Sequence, residues 1–173
     1  MPPAEALEAK RTALVVIDLM QRIVDLPLAP RSGADVVATA SRLASAFRAA
    51  GATVILVRAE RPDTAEQPPG SGIVDGIQGV SDIVVVKRAI SAFHKTGLDE
   101  TLRARGVDTV VLAGIATNMG VESTARAAAD HGYRVVFVED AMSALTQEEH
   151  VAAVLRAFPR FGTVLTAADI TIG

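Results

Sequence analysis

Short runs of apolar, mostly β-branched residues recur along the chain and alternate with longer stretches of helical periodicity. These runs occupy residues 13–17, 53–57, 83–86, 109–113, 134–138 and 163–165. Uninterrupted apolar runs of this length are typical of parallel strands that helices cover on both faces. Because strands that alternate with helices build βαβ units, we predict an α/β fold with a doubly wound, mainly parallel six-stranded sheet in the order 3-2-1-4-5-6. We expect helices on both faces and a single domain over residues 1–173.

Glycines mark the ends of three of the predicted helices. The helical patterns cover about residues 35–50, 98–105, 119–131 and 147–158. Gly51, Gly106 and Gly132 follow the first three of these patterns. Glycine is frequent just after a helix because it adopts a left-handed conformation at little cost.

The composition excludes several classes of protein. Half of the residues are hydrophobic but only 3% are aromatic, so Val, Ala, Leu and Ile have to fill the core. The net charge of -3 comes without a basic stripe, which argues against nucleic-acid binding. Cysteine is absent, which excludes disulfides, thiolate metal sites and thiol nucleophiles and is compatible with a reducing cytosol. Without an apolar run of ~18 residues or the apolar segment of a signal peptide, we expect a cytoplasmic protein that makes no membrane contact.

Three features fall where predicted strands end, which is the edge of an open α/β sheet that binds ligands. Asp18 ends the first strand, Lys87 ends the third, and the turn 114–120 follows the fourth. Either charged residue alone can simply mark the place where a strand emerges into water. Together with the turn the pair favours a functional site, and the start of the next helix offers free N–H groups to an anion. We predict that Asp18, Lys87 and residues 115–120 converge on one pocket.

Residues 59–80 form a long connection without helix or strand periodicity, and they are rich in Pro and Gly. Connections of this length within a domain are generally either functional or disordered. Because the segment leaves the carboxyl end of the second strand, we expect it to form a lid or a wall of the pocket.

Other catalytic motifs are absent from the sequence. There is no Gly-x-Ser-x-Gly elbow, no P-loop and no Gly-x-Gly-x-x-Gly fingerprint, so serine hydrolases, nucleotide hydrolases and dinucleotide-binding dehydrogenases find no support. The three histidines show no metal-ligand spacing. We expect His131 to face the end of a helix and His150 to lie on a solvated helix face. His94 follows Lys87 closely and stays a candidate.

Three segments, taken together and in order, resemble the isochorismatase-like hydrolase superfamily over about residues 12–170. They are Val15-Val16-Ile17-Asp18, then Lys87-Arg88 followed by Ser91-Ala92-Phe93, and Ala113-Gly114-Ile115-Ala116-Thr117-Asn118 running into Val121-Glu122-Ser123-Thr124-Ala125-Arg126. In most of this family, which includes nicotinamidases and N-carbamoylsarcosine amidohydrolase, an Asp, a Lys and a Cys form the catalytic set. The resemblance gives Asp18 and Lys87 the first two roles and places Gly120 at the cysteine position, as is often the case in isochorismatases proper.

The resemblance has further implications for the site. It implies a cis peptide bond between Ile115 and Ala116 that aims backbone N–H groups at the substrate. The candidates for substrate binding are Arg88, Phe93, Ile115, Ala116, Asn118 and Met119. The metal-binding Asp and His residues of nicotinamidases have no counterpart, so we expect neither a metal nor another cofactor. Met20 departs from the family, which commonly has Gln there. A neighbouring subunit often completes this edge in the family, so we expect a homo-oligomer.

The missing cysteine narrows the chemistry. Amide hydrolysis in this family needs a thiolate nucleophile, whereas isochorismatases hydrolyse a vinyl ether, which needs a proton on carbon followed by attack of water. Asp18 is then the natural general acid or base. Burial would raise the pKa of its carboxyl and the Lys87 ammonium would lower it, and the sequence leaves open which effect prevails. We expect a hydrolase of a small-molecule metabolite; the alternative is a family member that binds a small molecule or a protein partner without turnover.

The roles of Gly120 and of the cationic residues each have two interpretations. Gly120 either leaves space for a ligand or only accommodates the start of a helix. Isochorismate is a dianion, so a pocket for it should contain cationic groups. Arg58, Arg61 and Arg88 are the candidates, and each can instead be a solvated surface residue. Phe93 is either a pocket wall or a packing residue.

Overall fold

The computed structural model describes residues 5–173 and contains a central six-stranded parallel sheet. The strands of the molecule are β1 Glu5–Leu7, β2 Thr12–Ile17, β3 Thr53–Ala59, β4 Ile83–Lys87, β5 Thr109–Ile115, β6 Arg134–Ser143, β7 Gly162–Leu165 and β8 Ile170–Ile172. The central sheet has the order β4-β3-β2-β5-β6-β7, and every neighbouring pair is parallel. The predicted strand order is therefore confirmed. β1 and β8 pair with each other in a separate sheet, and at three residues each they are too short for a sequence pattern to reveal them.

Helices cover both faces of the sheet, as predicted. The α-helices are α1 Gln21–Val24, α2 Gly33–Ala49, α3 Leu98–Ala104, α4 Glu122–Asp130 and α5 Gln147–Ala152. Alternate residues of β2 point to opposite faces. Val15 and Ile17 belong to a buried cluster with α3 and α4, whereas Leu14 and Val16 belong to one with α2. None of the helices in residues 5–173 is long and apolar enough to cross a membrane.

α2 begins at Gly33 because Ser32 caps it. The Ser32 hydroxyl accepts a hydrogen bond from the Asp35 amide at 3.1 Å, and the Asp35 carboxylate accepts from the Ser32 amide at 3.3 Å. This capping box satisfies amides that the first helical turn leaves free. The helix predicted for residues 35–50 therefore starts two residues earlier than expected.

Helical turns of the π and 3₁₀ types replace part of two predicted α-helices. The pattern over residues 119–131 corresponds to a π-helical turn, Thr117–Val121, that runs into α4. α5 is followed in the same way by a π-helical turn, Ala153–Ala157, and a 3₁₀ turn, Phe158–Arg160. Turns of the π type are rare and occur frequently at functional sites. The first one lies directly after β5, at the carboxyl edge of the sheet.

The connection after β3 packs against the chain that follows β2. Residues 60–80 contain no helix or strand. The Arg22 amide donates to the Gly70 carbonyl at 2.9 Å, and the Val74 amide donates to the Leu19 carbonyl at 2.9 Å. The connection therefore supports α1 and the residues just before it.

Candidate active site

Asp18 follows directly after β2 and lies in a left-handed backbone conformation, at φ 53°. Residues other than glycine seldom adopt this conformation, and Asp is among the more tolerant. The Asp18 amide donates to the Val57 carbonyl at 2.9 Å, which ties the residue to β3. A non-glycine residue that the structure holds in this way is a candidate for a functional role.

Lys87 ends β4. In the sheet β3 lies between β4 and β2, and the Lys87 side chain extends past β3 to reach Asp18. Lys87 Nζ lies 2.9 Å from Asp18 Oδ2. The same ammonium donates to the Ile90 carbonyl at 2.6 Å, and the side chain is only 3% exposed. The two charged residues therefore form a buried pair at the carboxyl edge of the sheet.

The Asp18 carboxyl has a raised pKa. Burial raises the pKa. The Lys87 ammonium and, to a smaller extent, the Arg22 guanidinium lower it, but their effect is smaller than that of burial. Asp18 Oδ1 is buried and has no hydrogen-bond partner among the described residues, so the carboxylate loses solvation that the protein does not replace. Of the two opposed effects that the sequence leaves open, burial prevails. Asp18 therefore holds its proton at a higher pH than an exposed aspartate does.

Gly120 lies against this pair. A Cβ at residue 120 would lie 3.0 Å from Lys87 Nζ, 3.0 Å from Ile17 Cγ2 and 3.3 Å from Asp18 Oδ2. Optimal separations between such atoms are about 3.5–4.0 Å, so any side chain here would press against the two charged groups. The glycine thus keeps free the space next to Asp18 and Lys87.

These groups surround a cavity of about 260 Å³. Its lining residues are Asp18, Ile23, Leu26, Leu28, Lys87, Ile90, Ile115, Ala116, Met119, Gly120 and Leu145. The structure thus brings together six of the nine predicted site residues, namely Asp18, Lys87, Ile115, Ala116, Met119 and Gly120. The peptide bond between Ile115 and Ala116 is cis, as the resemblance implies.

Three of the predicted substrate-binding residues do not line the cavity. Phe93 packs against the buried core. Its ring stacks on the His131 ring, with 5.1 Å between the ring centroids. Arg88 Nη2 pairs with Glu60 Oε2 at 2.6 Å on the surface. Asn118 is half-buried in the π-helical turn and is not among the residues that line the cavity.

The other arginines considered for a dianionic substrate also lie outside the cavity. Arg58 Nη1 pairs with Glu60 Oε1 at 2.8 Å, so one carboxylate holds both Arg58 and Arg88. Arg61 is exposed and lines a separate surface concavity of about 750 Å³ that is formed within residues 61–69.

The long connection does not form a wall of the cavity. In the described chain, no residue of 59–80 is among those that line it. The prediction of a pocket wall in this segment is therefore wrong, and its action as a lid stays a prediction. The physical reason is that backbone groups of residues 70–74 bind residues 19–22, so the segment contacts the cavity only through the chain that it supports.

Sequence reasoning missed five apolar residues of the cavity wall. They are Ile23, Leu26, Leu28, Ile90 and Leu145. The first three follow β2, Ile90 follows β4, and Leu145 follows β6. Their position after strand ends was an available signal, but single apolar residues in irregular segments show no periodicity that would single them out.

His150 is buried, contrary to the prediction of a solvated helix face. Its side chain is 4% exposed, and Nδ1 lies 2.8 Å from Thr117 Oγ1 in the π-helical turn. Nε2 lies 3.5 Å from both Glu139 Oε2 and Arg31 Nη1. The contacts with His150 and Arg31 hold the pKa of Glu139 below its usual range. This network fixes the turn that contains Gly120 to α5 and β6.

The other two histidines lie outside the cavity. His94 is exposed, and His131 is the C-terminal cap of α4, in agreement with the structural role expected for it. Among residues 5–173, no group of three His, Asp or Glu side chains is arranged to hold a metal ion.

Comparison with known proteins identifies the family of this fold and site. Residues 12–169 match the model of the isochorismatase domain. The chain belongs to the isochorismatase family. It is 39% identical over 186 residues to the isochorismatase family protein YecD of Escherichia coli O157:H7, and the similarity covers 95% of this chain and 96% of that protein.

Solved structures of isochorismatase family members share the fold. An isochorismatase family protein of Burkholderia thailandensis has a TM-score of 0.82 at 42% identity, over 93% of this chain and 94% of that one. N-carbamoylsarcosine amidase of Thermoplasma acidophilum has a TM-score of 0.80 at 31% identity, over 91% of this chain and 95% of that one. The predicted membership is confirmed, and the chain is an isochorismatase-like hydrolase.

Proposed function

We propose that this isochorismatase-like hydrolase cleaves a vinyl ether of a small-molecule metabolite, with Asp18 as acid and base and without a covalent thiol intermediate. The observation that carries the proposal is the position of Gly120. It lies where the resemblance places the cysteine of the family, against Asp18 and Lys87, and it offers no nucleophile. The chain has no cysteine elsewhere that could replace it.

The first step is the transfer of a proton to carbon. The protonated Asp18 carboxyl gives its proton to the terminal vinyl carbon, and the electrons of the C=C bond form the new C–H bond. The adjacent carbon becomes cationic and is stabilised by the ether oxygen as an oxocarbenium ion. General acid catalysis of this kind typically contributes 10²–10⁴-fold. The raised pKa of Asp18 supports the role because it keeps the acid form available at higher pH.

Lys87 stabilises the carboxylate that remains after this transfer. Its Nζ lies 2.9 Å from Asp18 Oδ2, so the opposite charge is in place when Asp18 loses its proton. A water molecule then adds to the oxocarbenium carbon and returns a proton to Asp18. The resulting hemiketal breaks its C–O bond to the ether oxygen, and its hydroxyl proton moves to that oxygen, which gives an alcohol and a carbonyl compound. One water molecule is consumed, and no group stays attached to the protein.

The activity of the purified protein on vinyl ethers and on amides tests the proposal. We expect the alcohol and the carbonyl product from the vinyl ethers and no product from the amides, both followed by NMR. Asp18→Asn removes the acid and should lower kcat/KM by about 10²–10⁴-fold. Asp75→Asn changes an exposed carboxylate outside the cavity and should leave the rate unchanged.

Two results would decide against vinyl ether hydrolysis. Hydrolysis of amides without hydrolysis of any vinyl ether would contradict the proposed reaction. A folded protein that binds vinyl ethers without turning them over would favour the alternative of a small-molecule binding protein.

A further inference from the structure

Within the described chain, the cavity is lined by one cationic side chain. Among residues 5–173, Asp18 and Lys87 are the only acidic or basic side chains that line it, and Lys87 Nζ lies 2.9 Å from Asp18 Oδ2. The Lys87 ammonium also donates to the Ile90 carbonyl and is almost fully buried. A substrate carboxylate that approached Lys87 would also approach the Asp18 carboxyl. The described part of the cavity wall therefore offers one cationic group for the two negative charges of a dianion, and the Asp18 carboxyl already lies against that group.

Groups that do not line the cavity bind three arginines, Arg22, Arg58 and Arg88. Arg58 and Arg88 share the Glu60 carboxylate, at 2.8 and 2.6 Å. Arg22 Nε donates to the neutral Ser71 Oγ at 3.2 Å, and Arg22 does not line the cavity. A dianionic substrate would leave water for a cavity that, in the described chain, is lined by one cation, Lys87, for its two negative charges. Such a transfer is unfavourable, because at least one carboxylate loses solvation without gaining a counter-ion.

Apolar side chains form the mouth of the cavity. Eight large apolar side chains within residues 5–173 are exposed, and four of them line this cavity. The four, which we call the apolar rim, are Leu26, Ile90, Met119 and Leu145, exposed by 39%, 54%, 51% and 56%. Single exposed apolar residues are ordinary, whereas a cluster of them around one opening marks a binding surface. The rim residues follow four different strands, so the fold rather than one loop gathers them here.

We propose that the substrate is an uncharged vinyl ether whose non-reacting part is apolar and contacts the apolar rim, and not a dianion such as isochorismate. The reaction type in this inference rests on the proposed function. Removal of apolar substrate surface from water against the rim drives binding. The cavity of about 260 Å³ is smaller than the ~300–1,000 Å³ of pockets for drug-sized ligands, so the ligand is small.

A matched pair of vinyl ethers tests the substrate class. The probes are phenyl vinyl ether and the same compound with one carboxylate on the ring and one on the vinyl carbon that bears the oxygen. Each rate is divided by the uncatalysed rate of the same probe, because the carboxylates also change intrinsic reactivity. We expect the wild-type enzyme to favour the uncharged probe by at least about 100-fold in this corrected kcat/KM, because the dianion leaves charged groups unpaired.

One substitution should shift this preference. Leu26→Arg adds a cation to the rim at an exposed position and should reduce the preference for the uncharged probe by at least about tenfold. Leu155→Arg is the matched control, because Leu155 is 69% exposed and does not line the cavity. We expect the control to keep the wild-type preference.

Binding of the unreactive saturated analogues, phenyl ethyl ether and its dicarboxylate, separates the substrate class from the chemistry. Tighter binding of the uncharged analogue without turnover of any vinyl ether supports the inference and contradicts only the proposed function. A wild-type preference for the dianion, in binding or in turnover, overturns the inference and leaves the proposed function intact. Two further results overturn it: neither analogue binds, or Leu26→Arg lowers the molar mass in light scattering, which would show that a second copy of the chain covers the rim.

Discussion

Lys87 Nζ lies 2.9 Å from Asp18 Oδ2, although β3 separates the two strands after which these residues lie. A gap of about 10 Å separates strands that are two places apart in a sheet, and only a side chain as long as lysine closes it. The ammonium partly offsets the burial that raises the pKa of Asp18. The pair therefore sets the pH at which Asp18 holds a proton, and the proposed reaction depends on that proton.

The pH dependence of the activity should follow the protonation of Asp18. Burial raises its pKa above the ordinary value of 3.8. The neutral carboxyl is the form that protonates carbon, so kcat/KM should be highest below the raised pKa and should fall as the pH rises through it. The measurement is a rate profile with a vinyl ether, corrected for hydrolysis in buffer alone. A rate that instead rises through this range would show that Asp18 acts first as a base.

Lys87→Met should move this fall in activity to a higher pH. Lys87 lowers the pKa of Asp18, and the variant loses that effect. The variant should also be less stable, and the free energy of unfolding should fall by up to about 3–5 kcal/mol where Asp18 is ionised. Where Asp18 is neutral the loss should be smaller, because a neutral carboxyl needs no counter-ion. Urea unfolding at acid and alkaline pH measures this, with Lys10→Met at an exposed position as the control. A loss of stability that does not vary with pH would contradict the coupling.

Gly120→Ala should impair activity far more than stability. The added methyl group would lie 3.0 Å from Lys87 Nζ and 3.3 Å from Asp18 Oδ2, so the pair has to shift from its working geometry. We expect kcat/KM to fall at least about tenfold, which corresponds to 1.36 kcal/mol. Helix propensity favours alanine by up to about 1 kcal/mol and offsets part of the strain, so unfolding should change little. Gly72→Ala is the control, because a Cβ there meets open space.

Two outcomes would separate the possible roles of this glycine. An active Gly120→Ala variant would show that the space next to the ion pair is not needed by the substrate. A variant that does not fold would show that residue 120 serves the backbone geometry of the π-helical turn.

The sheet and the convergence of Asp18 and Lys87 could be predicted because strand burial leaves a direct pattern. All six residues of β2 are buried, and residues 13–17 form an unbroken apolar run that the charged residue after it ends. In a parallel sheet all such ends lie at one edge, which brings Asp18, Lys87 and the turn after β5 together. The direction of the pKa shift of Asp18 depends on burial and distances, which a sequence does not contain.

No sequence pattern shows which other side chains line the cavity. Arg88 could have faced the cavity, but Glu60 is within reach and pairs with it. Phe93 finds the His131 ring. His150 turns inward because Thr117, far away in the chain, supplies a partner at 2.8 Å. Each of these outcomes is decided by a contact between distant residues rather than by local periodicity.

Thr117→Val should destabilise the protein through His150. Valine keeps the shape of threonine but lacks the hydroxyl, so His150 Nδ1 loses its partner at a buried position, at a cost of about 1–3 kcal/mol. Activity should fall as well, because Thr117 and Gly120 share the π-helical turn. Urea unfolding and the vinyl ether assay measure the two effects. Thr64→Val removes an exposed hydroxyl and should change stability by less than about 0.5 kcal/mol; equal effects of the two substitutions would contradict a structural role for the Thr117 contact.

The isotope content of the products formed in D₂O enriched in ¹⁸O reports on both steps of the proposed reaction. Transfer of a proton from Asp18 to carbon, followed by attack of water on the oxocarbenium carbon, predicts one deuterium on the carbon that was the vinyl terminus. It also predicts that the released alcohol retains its original oxygen. Asp18→Asn should remove the enzyme-dependent part of this product. A carbonyl product without carbon-bound deuterium, or an alcohol that contains ¹⁸O, would contradict the proposed reaction.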